Sequence, residues 1–415
     1  MLRILQRSPC KQRHTPQQLL LFKQRDYALW AAGTFVSNIG TWVQRTGQDW
    51  LALTELPHHS ASLLGTVIAL QFVSPILFLP WTGTLADRYD RRRLLIITQS
   101  TMAVLALCIG VLTITHHIDR WGLYILTFLF GTAASFDAPV RQVFIGDLVG
   151  DTALPAAVSF NSISFNAARF IGPAVGGAII SATSTGWTFL INGASFFAVL
   201  GSLFLLRTKR NTSRSSIQSQ RFLDGLRYAW RKNELRSTLI MLALIGTFAL
   251  NMSLFVATMA VHVFHASAGR YGLLSSIMAV GSVIGAALSG FNQKDRYHSL
   301  LLSAGLLGLS CTAAALAPTY WLFGITIISI GIAALLFTNT SNTLMQLATE
   351  PAYRGRVIAL RIGVVLGGTP IGAPIAGWVA DTFGPRWAIT LGALSCYLAL
   401  AVGIMIRPKR PYLSQ

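Results

Sequence analysis

Apolar residues run along this chain in long stretches separated by short polar segments rich in arginine and lysine. The runs fall at 27–52, 62–85, 93–114, 122–147, 155–181 and 187–206, then at 236–262, 270–291, 299–317, 319–345, 357–380 and 386–406. Crossing the hydrocarbon core of a bilayer takes roughly 20 mostly apolar residues at 1.5 Å rise each. Lipid offers no partner for a backbone N–H or C=O, so such runs have to be helices. Their length and the lack of period-two alternation exclude a β-barrel. The pattern predicts an all-α membrane protein with twelve transmembrane helices.

Composition agrees. Only 11% of the residues are charged and 53% are hydrophobic, against about 25% charged in an average soluble domain. The net charge of +19 would suggest nucleic acid in a soluble protein, but its distribution gives a different answer. Of 33 Lys and Arg, 26 fall in segments 1–26, 86–93, 207–236, 292–298, 353–356 and 407–415. Twelve spans place all six segments on one side and leave Arg120, Arg270 and Arg386 on the other. Basic loops stay on the cytoplasmic side, so both termini are expected in the cytoplasm of a bacterial cell, with the chain in its inner membrane. The apolar run Leu19–Phe22 is too short for a signal-peptide core, so no cleavage is expected. Cys10, Cys108, Cys311 and Cys396 show no metal spacing and are read as structural. Histidine pairs such as His58-His59 and His116-His117 lie on separate loops without a carboxylate pattern, so no metal and no cofactor is assigned.

The one long polar connection follows the sixth run. It opens aperiodically, then places Phe222, Leu226, Ala229 and Trp230 on one helical face, with Arg227 and Arg231 elsewhere. That pattern predicts a helix lying on anionic lipid. The halves on either side resemble each other at an offset of 200: Gly131 answers Gly331, Ile171-Gly172 answers Ile371-Gly372, and Gly177 answers Gly377. The expected organisation is a basic segment 1–26, a six-helix bundle 27–206, a linker 207–235, a second bundle 236–406 and a tail 407–415. Two such bundles leave a site between them at the midplane, which suits alternating access.

The connection after the second run carries Gly83 and Asp87-Arg88, then Arg91, Arg92 and Arg93. It resembles the signature of the major facilitator superfamily, departing at Asp90, where that family has glycine. An anchor for topology explains the arginines but not Gly83 and Asp87 at the family's spacing. The resemblance implies that fold, two pseudo-symmetric six-helix bundles. It also implies a gate in which Asp87 faces the start of span eleven near Val357, while Arg88 or Arg91–Arg93 pairs with Asp147. A second stretch, Gly172-Pro173-x-x-Gly176-Gly177, is similar to a glycine–proline element of the superfamily's exporters, although a plain helix-packing role explains it as well. LWAAGTFVSNIGTWVQRTGQDWL and FDAPVRQVFIGDLV resemble the branch of enterobactin exporters and transmembrane secretion effectors. That likeness implies a monomeric secondary transporter exporting a small molecule, such as a siderophore, in exchange for protons. Multidrug efflux, lysolipid transport and a non-transporting sensor or assembly factor stay open as alternatives, because one fold hosts many functions. No Walker loop, Gly-x-Ser-x-Gly or metal-ligand motif supports an enzyme.

Away from the ends of the runs, six charged residues fall inside them: Arg45, Asp49, Asp137, Arg141, Arg169 and Arg361. Each costs about 2.5–3.5 kcal/mol at mid-membrane, so they are expected to face the interior or one another. Arg45 with Asp49, and Asp137 with Arg141, are spaced to close along their own helices. Asn38, Arg45 and Gln48 give span one a polar stripe, and Asn161, Asn166 and Arg169 mark span five. Four arginines against two aspartates favour an anionic or acceptor-rich cargo, with Asp49 or Asp137 as the carboxylate that exchanges protons.

Overall fold

The computed structural model describes residues 21, 24–56, 60–206, 222–290 and 295–406; the side chains of 79, 80, 83, 84, 86–88, 151 and 222–224 are not described. Among the described residues every regular element is a helix. The first half comprises α1 (Arg25–Trp50), α2 (Ala61–Arg88), α3 (Arg91–Ile114), α4 (Arg120–Gly150), α5 (Thr152–Ala182) and α6 (Thr185–Leu205). The linker helix α7 (Phe222–Arg231) precedes α8 (Asn233–Phe248) and α9 (Met252–Thr258), which together form one span. Then come α10 (Ala268–Leu288), α11 (Arg296–Leu316), α12 (Tyr320–Leu347), α13 (Arg354–Phe383) and α14 (Pro385–Met405).

Among the described residues, eleven of the twelve spans are both long and apolar enough to cross a membrane. The exception, α1, has the length at 26 residues, but Asn38, Arg45, Gln48 and Asp49 lower its hydropathy. A span of that kind is stable only if its polar face meets protein or a cavity. Spans one and seven both end in a π-helical turn, Leu51–Glu55 and Met259–Val263, as related elements of two similar bundles would. Between α4 and α5 the chain turns at Gly150, whose φ of 70° is strained for a residue with a β-carbon.

Two seams join the halves. In one, α5 packs on the start of α10; in the other, α13 packs on the start of α2. The 200-residue repeat appears here as a physical correspondence. A β-carbon on Gly177 would lie 2.5 Å from the Ala268 carbonyl oxygen, and one on Gly377 would lie 2.5 Å from that of Ala61. Each glycine lets one span press against the first turn of a span from the other half. Four residues further on, each seam is capped. The Ser181 hydroxyl accepts the Gly269 N–H at 3.0 Å. At the matching position, the Asp381 carboxylate accepts from the N–H groups of Ala61 and Ser62 and from the hydroxyls of Ser60 and Ser62. These caps lie on the face opposite the basic loops.

Span seven is broken where it meets α13. The backbone leaves the helix at Ala249–Asn251, and the Asn251 amide donates to the Thr247 carbonyl at 2.6 Å. A β-carbon on Gly372 would collide with that same carbonyl. Gly372→Ala is therefore expected to destabilise the fold by about 1–3 kcal/mol, the usual cost of overpacking. Gly367→Ala, which meets nothing within 4 Å, should be close to neutral. Thermal unfolding in detergent measures the difference.

The linker helix does not rest on lipid alone, as its pattern suggests. Ala229 is fully buried, and Gly225 lies against Arg356 of α13. The Tyr228 ring stacks on Tyr353 at 4.3 Å. Glu350 accepts from Lys232 at 3.0 Å and from the Tyr228 hydroxyl at 3.1 Å. These two hydrogen bonds hold the Glu350 carboxyl below its usual range. Helix α7 is thus clipped to the connection between α12 and α13. Its half-exposed Trp230, between exposed Arg227 and Arg231, is what remains to face a membrane surface.

Candidate functional site

Between the halves lies a cavity of ≈ 270 Å³. Its walls come from α1, α2 and α5 on one side, and from the α8–α9 break, α10, α12 and α13 on the other. On α1 the lining residues are Trp42, Arg45, Thr46 and Asp49, spaced by three and four and so on one helical face. Arg169 and Pro173 reach the cavity from α5, and Gln71 from α2.

The two arginines share one aromatic ring. The Arg45 and Arg169 guanidinium carbons lie 5.1 and 5.7 Å from the Trp42 ring centroid, inside cation–π range. Arg45 also lies 5.6 Å from the Phe72 ring and donates to Gln71 Oε1 at 3.3 Å. Among the described residues neither arginine forms an ion pair with a carboxylate. The glycine–proline element holds this arrangement together. Gly172 and Gly176 lie against Trp42 and Thr46 of α1, while Gly177 lies against α10. Side chains at those glycines would push α5, and Arg169 with it, away from Trp42.

Arg45 and Asp49 stand one turn apart but do not close on each other. Asp49 Oδ2 instead accepts the hydroxyl of Tyr271 at 2.7 Å. Tyr271 belongs to the first turn of α10 in the other half, and its ring stacks on Trp50 at 6.2 Å. Both partners are buried, at 3% and 2% exposure. This bond closes the cavity on the side away from the basic loops.

Seven residues expected at the cavity are absent from its lining: Asn38, Gln48, Asp137, Arg141, Asn161, Asn166 and Arg361. The reasons are local. Asn38 lies a turn before Trp42, below the cavity, and Gln48 is turned off the lining face and buried. Asp137 and Arg141 do close along their helix, and Thr98 and Gln99 of α3 complete the carboxylate's shell. Asn166 donates to Ser162 of its own helix, and Asn161 lies a turn nearer the basic face. Arg361 is drawn to the Thr338 carbonyl at 2.7 Å, leaving Thr338 rather than the guanidinium at the wall.

At the basic face Arg91 grips both oxygens of Asp147 at 2.7 and 2.8 Å, and Arg92 donates to the Phe204 carbonyl. The Arg91–Asp147 pair ties α3 to α4 within one half. The side chains of Gly83, Asp87 and Arg88 lie outside the described residues, so the gate expected of Asp87 has no described geometry here.

Trp42, Gln71, Tyr271 and Asp381 are not marked by spacing in the sequence. Trp42 is the most legible of them, because it falls on the stripe through Arg45 and Asp49. The others act through partners from distant parts of the chain, 26 residues away for Gln71 and 222 for Tyr271.

Comparison with known proteins matches this architecture. A family model described as transmembrane secretion effector covers residues 20–413. The staphyloferrin A transporter of Staphylococcus aureus is 26% identical over 85% of this chain and 89% of its own. The enterobactin exporter of Citrobacter koseri is 24% identical over 84% of this chain and 83% of its own. The crystal structure of a bacterial homologue of the iron transporter ferroportin, in an inward-facing state, superposes with a TM-score of 0.71. That match is at 15% identity, over 92% of this chain and 98% of the other. With twelve helical spans in two related bundles and a family match along nearly its whole length, the chain belongs to the transmembrane secretion effector family of major facilitator transporters.

Proposed function

We propose that this protein exports a small anionic or acceptor-rich molecule, such as a siderophore, from the bacterial cytoplasm across the inner membrane. It works as a monomer by alternating access and in exchange for protons. The observation that carries the reading is the pair Arg45 and Arg169 on the Trp42 ring, facing the cavity with no carboxylate among the described residues closing on either. Two guanidinium groups held this way favour an acceptor-rich guest, because each offers a fork of N–H donors that matches carboxylate oxygens. The basic loops support a cytoplasmic placement of both termini. The caps at the opposite face support a state closed to the outside. Of the two candidate carboxylates for proton exchange, Asp49 is favoured. It lines the cavity and bonds across the halves to Tyr271, whereas Asp137 is enclosed by α3 and Arg141. The staphyloferrin A and enterobactin relatives point to an iron chelator as cargo.

The test compares cells lacking this protein, and cells carrying Arg45→Ala or Arg169→Ala, with wild type under iron limitation. The expected result is an anionic chelator retained in the cells in all three cases, with roughly tenfold or greater loss of secretion for each substitution. Unchanged secretion of every chelator, together with loss of efflux of cationic dyes, would overturn the proposal and favour multidrug efflux.

A further inference from the structure

Span one carries its own competitor for the cargo. Arg45 and Asp49 are four residues apart, the spacing at which an arginine and an aspartate on one helix pair readily. On α4 the same spacing does close, between Asp137 and Arg141, at 2.8 Å. Two things differ on α1: the arginine comes first, the weaker order for such a pair, and the Tyr271 hydroxyl holds Asp49 Oδ2 at 2.7 Å. Arg45 is left with Gln71, a neutral amide, at 3.3 Å. The groups about Asp49 are few. Arg45 stands one turn back on its own helix, Tyr271 approaches from α10, and Arg169 lies beyond the Trp42 ring on α5.

Tyr271 sits in the first turn of α10, beside the seam where Gly269 meets Ser181. Any motion that opens the cavity to the opposite face has to part this seam and draw Tyr271 away from span one. Asp49 then loses the Tyr271 hydroxyl, its one side-chain donor among the described residues, and is left to water or to a nearby cation. The nearest replacement is the guanidinium one turn away.

We infer that Tyr271 and Asp49 form a release switch for the bound anion. While the outer seam is closed, Tyr271 keeps Asp49 off Arg45, and Arg45 is free to hold an anionic group of the cargo. When the seam opens, Asp49 swings to Arg45 and displaces the cargo into the outward-facing cavity. Tyr271 is thus a positioning residue, acting on the cargo only through Asp49 and Arg45. The inference rests on the anionic cargo site proposed above and adds how cargo is let go on the correct side.

The test uses citrate as a simple polycarboxylate probe, titrated calorimetrically into purified full-length protein. Tyr271→Phe keeps the ring on Trp50 and removes only the hydroxyl. It is expected to weaken citrate binding about tenfold, because Asp49 is then free to occupy Arg45 in the resting state. Adding Asp49→Asn to Tyr271→Phe removes the competitor and should restore binding to near the wild-type value. Asp49→Asn alone should bind at least as tightly as wild type. Equal citrate affinity in wild type and Tyr271→Phe would overturn the switch while leaving the anion site intact. Loss in Tyr271→Phe without rescue by Asp49→Asn would also overturn it, since a purely structural role for the tyrosine gives that result. Citrate failing to bind wild type would overturn the anion site and the switch together.

Discussion

Replacing Asp381 with alanine is expected to expose the cavity to the opposite face of the membrane roughly 30-fold more often than in wild type. The carboxylate belongs to α13, but its donors belong to the other half: the N–H groups of Ala61 and Ser62 at 2.7 and 2.9 Å, and the hydroxyls of Ser60 and Ser62 at 2.6 and 2.5 Å. It therefore caps the first turn of α2 as an N-cap residue would, and with a full negative charge at the positive end of the helix. Hydrogen bonds to charged groups contribute about 1.5–3 kcal/mol each, less where water competes, as it does around these partly exposed donors. A net loss of ~2 kcal/mol corresponds to about a 30-fold shift in equilibrium. The matching cap in the other seam, Ser181 to Gly269, is a neutral bond, and Ser181→Ala should shift the equilibrium only about fivefold. The measurement is the labelling rate of a cysteine placed at Thr369 in the cavity wall, in a cysteine-free background, with a membrane-impermeant maleimide added outside. Equal rates in the Asp381→Ala and wild-type proteins would rule out this carboxylate as the stronger cap. Rates raised more by Ser181→Ala than by Asp381→Ala would reverse the assigned asymmetry.

The extent of each span was legible because length and hydropathy are local properties, and lipid leaves helices as the only outcome for such runs. The relation between halves was legible for a similar reason. Glycines 177, 372 and 377 are fixed by backbone contact and Gly172 by the Trp42 β-carbon, and neither tolerates a substitute of ordinary size. The charged interior was only half legible, and the two aspartate–arginine pairs show why. Their spacing is identical but their order is reversed: Asp137 precedes Arg141 and closes on it, whereas Asp49 follows Arg45 and is taken by a tyrosine more than 200 residues away. Helical spacing states which pairs can form, but a third group arriving from another helix decides whether they do. Arg361 illustrates the same limit, since a carbonyl on α12 turns it from the cavity.

This sorting separates the membrane arginines by what they face. Arg141 closes on a carboxylate of its own helix, as Arg91 at the basic face closes on Asp147 of α4. Arg45 and Arg169 have an aromatic ring and, among the described residues, no carboxylate within salt-bridge distance, and they face the cavity. Charge alone did not distinguish the two sets; the neighbours do. An arginine already neutralised by its own bundle has little to offer a guest. One held over a tryptophan keeps N–H donors for a guest, because the aromatic contact leaves its charge without a carboxylate partner.

Asp137→Ala should therefore unfold the protein more readily while leaving anion binding at the cavity unchanged. The carboxylate is 4% exposed, with both oxygens occupied: Thr98 at 2.9 Å and Gln99 at 2.7 Å on one, and Arg141 through two nitrogens at 3.0 and 2.8 Å on the other. Its removal leaves a guanidinium and two polar side chains without their acceptor inside the membrane. Breaking one member of such a buried pair costs about 3–5 kcal/mol, chiefly because the remaining charge is uncompensated. Arg141→Ala is expected to cost a similar amount for the converse reason. The double variant should cost clearly less than the two single losses added together, since each single loss contains the same stranded charge. Thermal unfolding of the three variants in detergent gives the cycle, and citrate titration of the folded protein gives the binding. Additive losses would mean that Asp137 and Arg141 act separately. Citrate affinity lost in Asp137→Ala while the protein keeps its wild-type unfolding temperature would return this carboxylate to the transport site.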